Sequence, residues 1–294
     1  IYIDLEEPNL VGTRLGPHKS VSKGLDLLRA TEAQWDHVLT LCPFTAAWVN
    51  HHMGVHRRTA VYYPFQTDRA PVFVPFAERK LDIVIVGWYQ IAPFTLDVIK
   101  ATARYNSRWV RHHTTVAAAA MKGAAMPHMA TGADLPRKLN IISNARIAVV
   151  YNDMFDFPFL AKHRGSTATH AAIRDRPLLL SHYAFAYNLH HNESHVPYPM
   201  SPQVKSRMVE AAASGAVMLV FNDGYNVIEQ YYEPGVDFVY WHNLSDFHEQ
   251  VQRVLAAPAV FEAMAQRVRD KTLERYSVDA FVQAFIRPFL GTDG

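Results

Sequence analysis

Two cations and three carboxylates, Lys205, Arg207, Glu210, Glu229 and Glu233, fall within the stretch SPQVKSRMVEAAASGAVMLVFNDGYNVIEQYYEPG that ends at Gly235. Carboxylates accept hydrogen bonds from the hydroxyls of a sugar or a ribose. Guanidinium and ammonium groups match phosphate oxygens, arginine through a fork of donors and lysine as a point charge. Together they suit a ligand that is both phosphorylated and rich in hydroxyls. Charged residues on an α/β unit are more often only a solvated face, so the chemistry depends on where the chain places them.

The elements that hold them follow with no spare residues. Pro202 fits the first turn of a helix with Ser201 as its cap, because proline lacks only a donor that would be unpaired there. Val204, Met208, Ala211 and Ala212 then form an apolar stripe at helical spacing. Lys205 and Arg207 sit in its first turns. Ser214-Gly215 ends the helix, glycine supplying the left-handed conformation. Ala216 to Phe221 is an unbroken apolar run, the mark of a parallel strand covered on both faces. Asn222-Asp223-Gly224 is a turn signal, and a short helix from Asn226 presents Glu229 and Glu233. Ligands of an open parallel sheet bind beyond the carboxyl ends of its strands, which is where this loop lies. Leu81 to Val86 is another buried strand, and its terminal Gly87 allows close approach of a ligand or simply makes a turn.

The string KSRMVEAAASGAVMLV, continued by NVIEQYYEPGVDFVYW, LSDFHEQVQRVL and two closing helices, resembles the carboxyl-terminal, donor-binding half of GT-B glycosyltransferases of the group 1 type. In that pattern Glu210 to Gly215 stands for the helix motif E-A-x-A-x-G, Glu229 for the second glutamate, and Tyr232-Glu233-Pro234-Gly235 with Tyr240 for F-E-P-G-x-x-x-x-Y. The resemblance implies an α/β, GT-B-like fold with two Rossmann-like parallel-sheet domains, the first short or truncated. It also implies a glycosyltransferase acting on a nucleotide-diphosphate sugar and a saccharide or other hydroxyl acceptor, with no cofactor and no metal. Glu210 would hold the ribose hydroxyls and Lys205 or Arg207 the diphosphate, with Gly87, Asn226 and Glu229 completing the donor site. Retaining members often carry a glutamate eight residues before the helix glutamate, and here that position is Pro202. An inverting enzyme needs a base for the acceptor hydroxyl, and Glu7 is the candidate, although it also reads as a turn residue before Pro8.

At 294 residues the chain suits two domains. The expected division is an acceptor-side domain over 1–78, probed by a proline-rich boundary at Tyr63 to Pro75, a nucleotide-sugar-binding domain over 79–276, and a final helix over 277–294. Phe281, Phe285 and Phe289 would pack that helix back on the first domain or else complete a local core. The opening Ile1-Tyr2-Ile3 reads as a strand lacking a leading methionine, as in a trimmed or partial chain. Trp35 to Cys42 and Arg58 to Tyr63 read as strands flanking a helix from Pro43 to Met53, which makes a β-α-β unit. Pro93 to Tyr105 and Asp134 to Asn144 are helical by spacing, Arg108 to Val110 and Ile147 to Tyr151 are strands, and Tyr183 to Leu189 is a further one. Helices are expected from Ser245 to Leu255 and from Pro258 to Tyr276, with Ser277 capping the last.

Composition bounds the rest. Hydrophobic residues make up 49% and charged ones 19%, which excludes a disordered chain. The single cysteine, Cys42, forms no internal disulfide and, with no run of eighteen apolar residues and no signal peptide, points to the cytoplasm. The histidine doublets His51-His52, His112-His113 and His190-His191 invite a metal reading, but neighbours in sequence point to different sides and rarely share one ion. Arg104, Arg108 and Arg111, with Tyr105 and Trp109 among them, form a possible nucleic-acid patch, so DNA is an allowed but not favoured acceptor against a net charge of only +2. The alternatives are therefore a nucleic-acid glycosyltransferase of the same fold and a nucleotide-binding α/β protein without catalysis.

Overall fold

The computed structural model describes residues 1–4, 34–41, 43, 46–47, 50, 58–86, 93–111, 128–131, 133–150, 153–155, 200–202, 205–222 and 226–290. Strands β1 (Tyr2–Asp4), β2 (Val38–Thr40) and β3 (Arg58–Ala60) form a three-stranded parallel sheet in that order. Pro43, Ala46, Ala47 and Asn50 are helical between β2 and β3, as a β-α-β crossover requires. The strands are shorter than the apolar runs that announce them.

The second sheet is the larger one. It is built from β4 (Leu81–Val86), β5 (Ser107–Arg111), β6 (His128–Thr131), β7 (Ala145–Val150), and, after two short strands β8 (Asp153–Phe155) and β9 (Met200–Pro202), from β10 (Val217–Phe221) and β11 (Phe238–Trp241). The six strands lie in the order β11-β10-β7-β4-β5-β6, all parallel. Counted by their appearance in this sheet they read 6-5-4-1-2-3, the doubly wound order whose direction reverses between its first and fourth strands. The reversal falls between β4 and β7, so the crevice opens beyond Val86 and Val150.

Both faces of this sheet are covered, which explains the unbroken apolar runs. Val84, Val86, Ala148, Val150, Met218 and Val220 pack on one side, and Ile83, Ile85, Ile147, Val149, Val217 and Leu219 on the other. Helices α1 (Pro93–Thr102), α2 (Leu135–Ser143), α3 (Ser206–Ala213), α4 (Leu244–Ala256) and α5 (Pro258–Arg275) supply the layers. Asp134 caps α2 by accepting from the Arg137 amide. Ser277 caps α6 (Val278–Phe281) by accepting from the Ala280 amide, as expected.

Two expectations are corrected. Ser201 and Pro202 do not start a helix: Met200–Pro202 is a strand paired antiparallel with Asp153–Phe155, and α3 begins only at Ser206. Pro202 is tolerated because a two-stranded ribbon leaves one edge of each strand without a partner. The cap of α4 is Asn243 rather than Ser245, since Asn243 Oδ1 accepts from the Asp246 amide while Asp246 reaches back to the His242 amide. The expected strand at Tyr183 to Leu189 lies outside the described residues.

Phe65 and Ser277 form an isolated parallel bridge, with Phe65 N–H donating to Tyr276 O and Val278 N–H to Phe65 O. Beside it Phe281 and Phe285 pack with Leu39 of the three-stranded sheet and with Leu41, Val61 and Tyr62, which directly follow its strands. Phe289 lies against His37 at 3.8 Å between ring centroids. The proline-containing stretch after Tyr63 is packed against α5: Arg269 donates to Pro71 O and Glu262 accepts from the Phe76 amide.

Candidate functional site

Helix α3 turns at Ser214-Gly215 directly into β10 and packs on β7 and β10, so it runs antiparallel to the strands. Its first residues are therefore brought to the carboxyl-end side of the sheet. Gly215 has φ +71°, and a Cβ there would lie 2.7 Å from the Phe73 ring, so the turn requires glycine twice over. Lys205 occupies the cap position of α3 and Arg207 its first turn, both half-buried. Beyond β10, Asn226 adopts a left-handed conformation with φ 53° and leads into a 3-10 turn, Val227–Gln230, that exposes Glu229.

Glu210 is 6% exposed on the inner side of α3. Its Oε1 accepts from Lys138 Nζ of α2 at 2.6 Å, and its Oε2 is buried with no hydrogen-bond partner among the described residues. A buried acceptor left unmatched is costly, and more so on a charged group. A donor brought by a ligand could satisfy such an atom. Glu229, in contrast, accepts from the Tyr240 hydroxyl at 2.8 Å, joining the 3-10 turn to β11. The two carboxylates that share one sequence motif are thus held by different partners.

The structure gathers Lys205, Arg207 and Glu210 on one helix and Asn226 and Glu229 on the loop after the next strand. Gly87 and Glu7 lie outside the described residues, as do the three histidine doublets, and so does Val204. Among the described residues no group of three or more His, Cys, Asp and Glu side chains is placed to hold a metal. No described helix is long and apolar enough to cross a membrane.

Lys138 was not among the residues singled out from sequence. Its signal was present: it sits between Leu135 and Leu139 with Ile142 one turn on, on the stripe of α2 that faces inward. A lysine on such a stripe asks for a buried carboxylate.

Around the carboxyl ends of β10 and β11, Asn222 Nδ2 meets His242 Nε2 at 3.2 Å, and His242 Nδ1 meets Asp246 Oδ2 at 2.9 Å. Burial pushes the Asp246 carboxyl up, but hydrogen bonds from Gln250 and His242 outweigh it and hold it below its ordinary value. This group is accounted for by its role in starting α4.

The basic cluster offers no stacking surface from tryptophan, because Trp109 is 1% exposed in the core beneath α1 and α4. Tyr105 turns instead to His248, its hydroxyl 3.0 Å from Nδ1. Burial, reinforced by Arg104, lowers the His248 pKa. The unfolded chain, near 6.5, then binds more protons than the folded one just below that pH, so stability is complete above about pH 6.5 and falls as the pH drops through the window beneath it. The melting temperature should fall between about pH 7.5 and about pH 5.5 from this group. His248→Gln should remove that part of the slope; an unchanged slope would contradict the assignment.

A glycosyl transferase-like family model matches residues 134–287, which contain both helices of the Lys138–Glu210 pair and the loop through Glu229. No curated protein matches the chain in sequence. Among solved structures, TarM from S. aureus superposes with a TM-score of 0.58 at 10% identity, covering 95% of this chain and 49% of its own. Sucrose-phosphate synthase from Thermosynechococcus elongatus gives 0.58 at 12% identity, with coverage of 94% and 64%. HepE from Anabaena gives 0.55 at 11% identity, with coverage of 99% and 71%. At these identities the likeness is one of fold, and the chain spans about half the length of the first of these proteins. The fold is α/β and GT-B-like, with parallel sheets of Rossmann type.

Proposed function

The chain belongs to the glycosyl transferase-like family, and on that premise we propose that it moves a sugar from a nucleoside-diphosphate sugar to a hydroxyl acceptor without a metal. The observation that carries the reading is Glu210, a buried carboxylate with one oxygen anchored by Lys138 and the other unmatched among the described residues. A ribose hydroxyl supplies the missing donor, and a hydrogen bond to a charged acceptor contributes about 1.5–3 kcal/mol.

Transfer breaks the bond from the anomeric carbon to the diphosphate, and negative charge grows on the leaving oxygen. Lys205, Arg207 and the first amides of α3 stand at the helix end where that charge is stabilised. Asn226 and Glu229, on the loop beyond β10, border the donor sugar in this reading, and Gly87 lets the β4 loop approach it. With Pro202 at the position where retaining enzymes often have a glutamate, an inverting course fits best. Glu7 is then the base that takes the acceptor's proton.

HepE has been solved with UDP-glucose and TarM with UDP, which makes UDP the first nucleotide to try. The test is a melting screen against UDP, GDP, ADP, CDP and dTDP sugars, followed by transfer of labelled sugar from the best donor in the presence of EDTA. A ligand at a hundred times its dissociation constant should add about 2.7 kcal/mol. No stabilisation by any of the five would end the proposal, and transfer that stops in EDTA would end its metal-free part.

A further inference from the structure

We infer that Lys138 is a positioning residue of the donor site: it holds Glu210 by one oxygen so that the other is kept for a ribose hydroxyl. The inference rests on the ribose reading of Glu210 given above. Lys138 and Glu210 belong to different helices, α2 and α3, and lie 72 residues apart in sequence, so their 2.6 Å contact is made by the packing of the fold. The Lys138 side chain is 25% exposed and that of Glu210 only 8%, which leaves the carboxylate dependent on the ammonium. A carboxylate without that anchor would be free to rotate about its last bonds and would need to be ordered by each incoming ligand.

The choice of lysine matters. Lysine is a point charge and engages Oε1 here, whereas the planar fork of arginine pairs with both oxygens of a carboxylate at once. An arginine at 138 would preserve the ion pair and occupy Oε2. A purely structural salt bridge would tolerate that change, and a positioning role would not.

The experiment compares UDP, GDP and ADP, each against its 2′,3′-dideoxy counterpart, by calorimetric titration of the whole chain. With whichever base binds, the wild-type protein should hold the ribonucleotide about tenfold or more tighter than the dideoxy form, which corresponds to about 1.4 kcal/mol. In Lys138→Met the ratio should fall to about twofold, through weaker binding of the ribonucleotide alone. In Lys138→Arg it should fall as well, while the melting temperature stays at the wild-type value. Either variant keeping the wild-type ratio overturns the inference. A wild-type protein that binds a nucleotide but ignores the loss of both hydroxyls overturns the ribose reading of Glu210 instead, so the two failures are told apart. Should Lys138→Met fail to fold, Lys138→Arg decides alone.

Discussion

Glu210→Ala is expected to abolish the thermal shift given by the donor nucleotide and to lower kcat/KM for transfer about a hundredfold. The carboxylate is buried, anchored by Lys138 and, among the described residues, unmatched at Oε2, so truncation removes an acceptor for which water is no ready substitute. A loss of about 2.7 kcal/mol of binding free energy corresponds to a factor of about a hundred. For a chain of this size a saturating ligand should otherwise raise the melting temperature by about 5–10 °C. Glu210→Gln separates charge from shape. Its amide oxygen still accepts from Lys138, and its amino group meets the hydroxyl as a donor, so binding should lie between those of the wild type and the alanine variant. An alanine variant that keeps the full shift would place the nucleotide elsewhere.

That prediction was accessible from the E-A-x-A-x-G helix, but its mechanism was not. The run from Ala216 to Phe221 announced a strand covered on both faces, and it is one, because every residue from Val217 to Val220 is buried. Ser214-Gly215 announced a helix end, and Gly215 has the positive φ that only glycine adopts without strain. These signals are local, and local signals survive folding. Pro202 is different. Proline suits both the first turn of a helix and the free edge of a strand, and the pairing with Asp153 that decides between them is made by residues far away in sequence. Asn243 and Ser245 both carry capping oxygens, and Asp246 settles the choice by bonding the His242 amide. Lys138 went unread because its meaning lies in a carboxylate on another helix.

Arg79→Ala should be the most destabilising single change, lowering the melting temperature by about 6–15 °C while leaving the nucleotide's dissociation constant unchanged at low temperature. Arg79 is 3% exposed and sits at the edge of the sheet opposite the crevice. Its Nη1 donates to Ala145 O and Gly215 O, each at 2.8 Å, and its Nε to Val74 O at 2.7 Å. The carbonyls of Ala145 and Gly215 begin β7 and precede β10, and β4 starts two residues after Arg79, so one guanidinium ties the amino ends of three neighbouring strands. The cation lies over the rings of Phe76 at 4.3 Å and Phe73 at 5.1 Å. Burial lowers its pKa to about 10, with Glu262 opposing and Arg146 adding to the shift, so it remains charged near neutrality. Truncation withdraws three charge-assisted donors and opens a cavity beside both rings, a cost of about 3–5 kcal/mol. Arg79→Lys keeps the charge but cannot reach all three carbonyls from one ammonium, so its melting temperature should fall between the two. Because the strands would lose their fastening at the end away from Lys205 and Glu210, stability should drop without a change in nucleotide affinity; affinity falling in step with stability would show that this edge and the crevice are coupled.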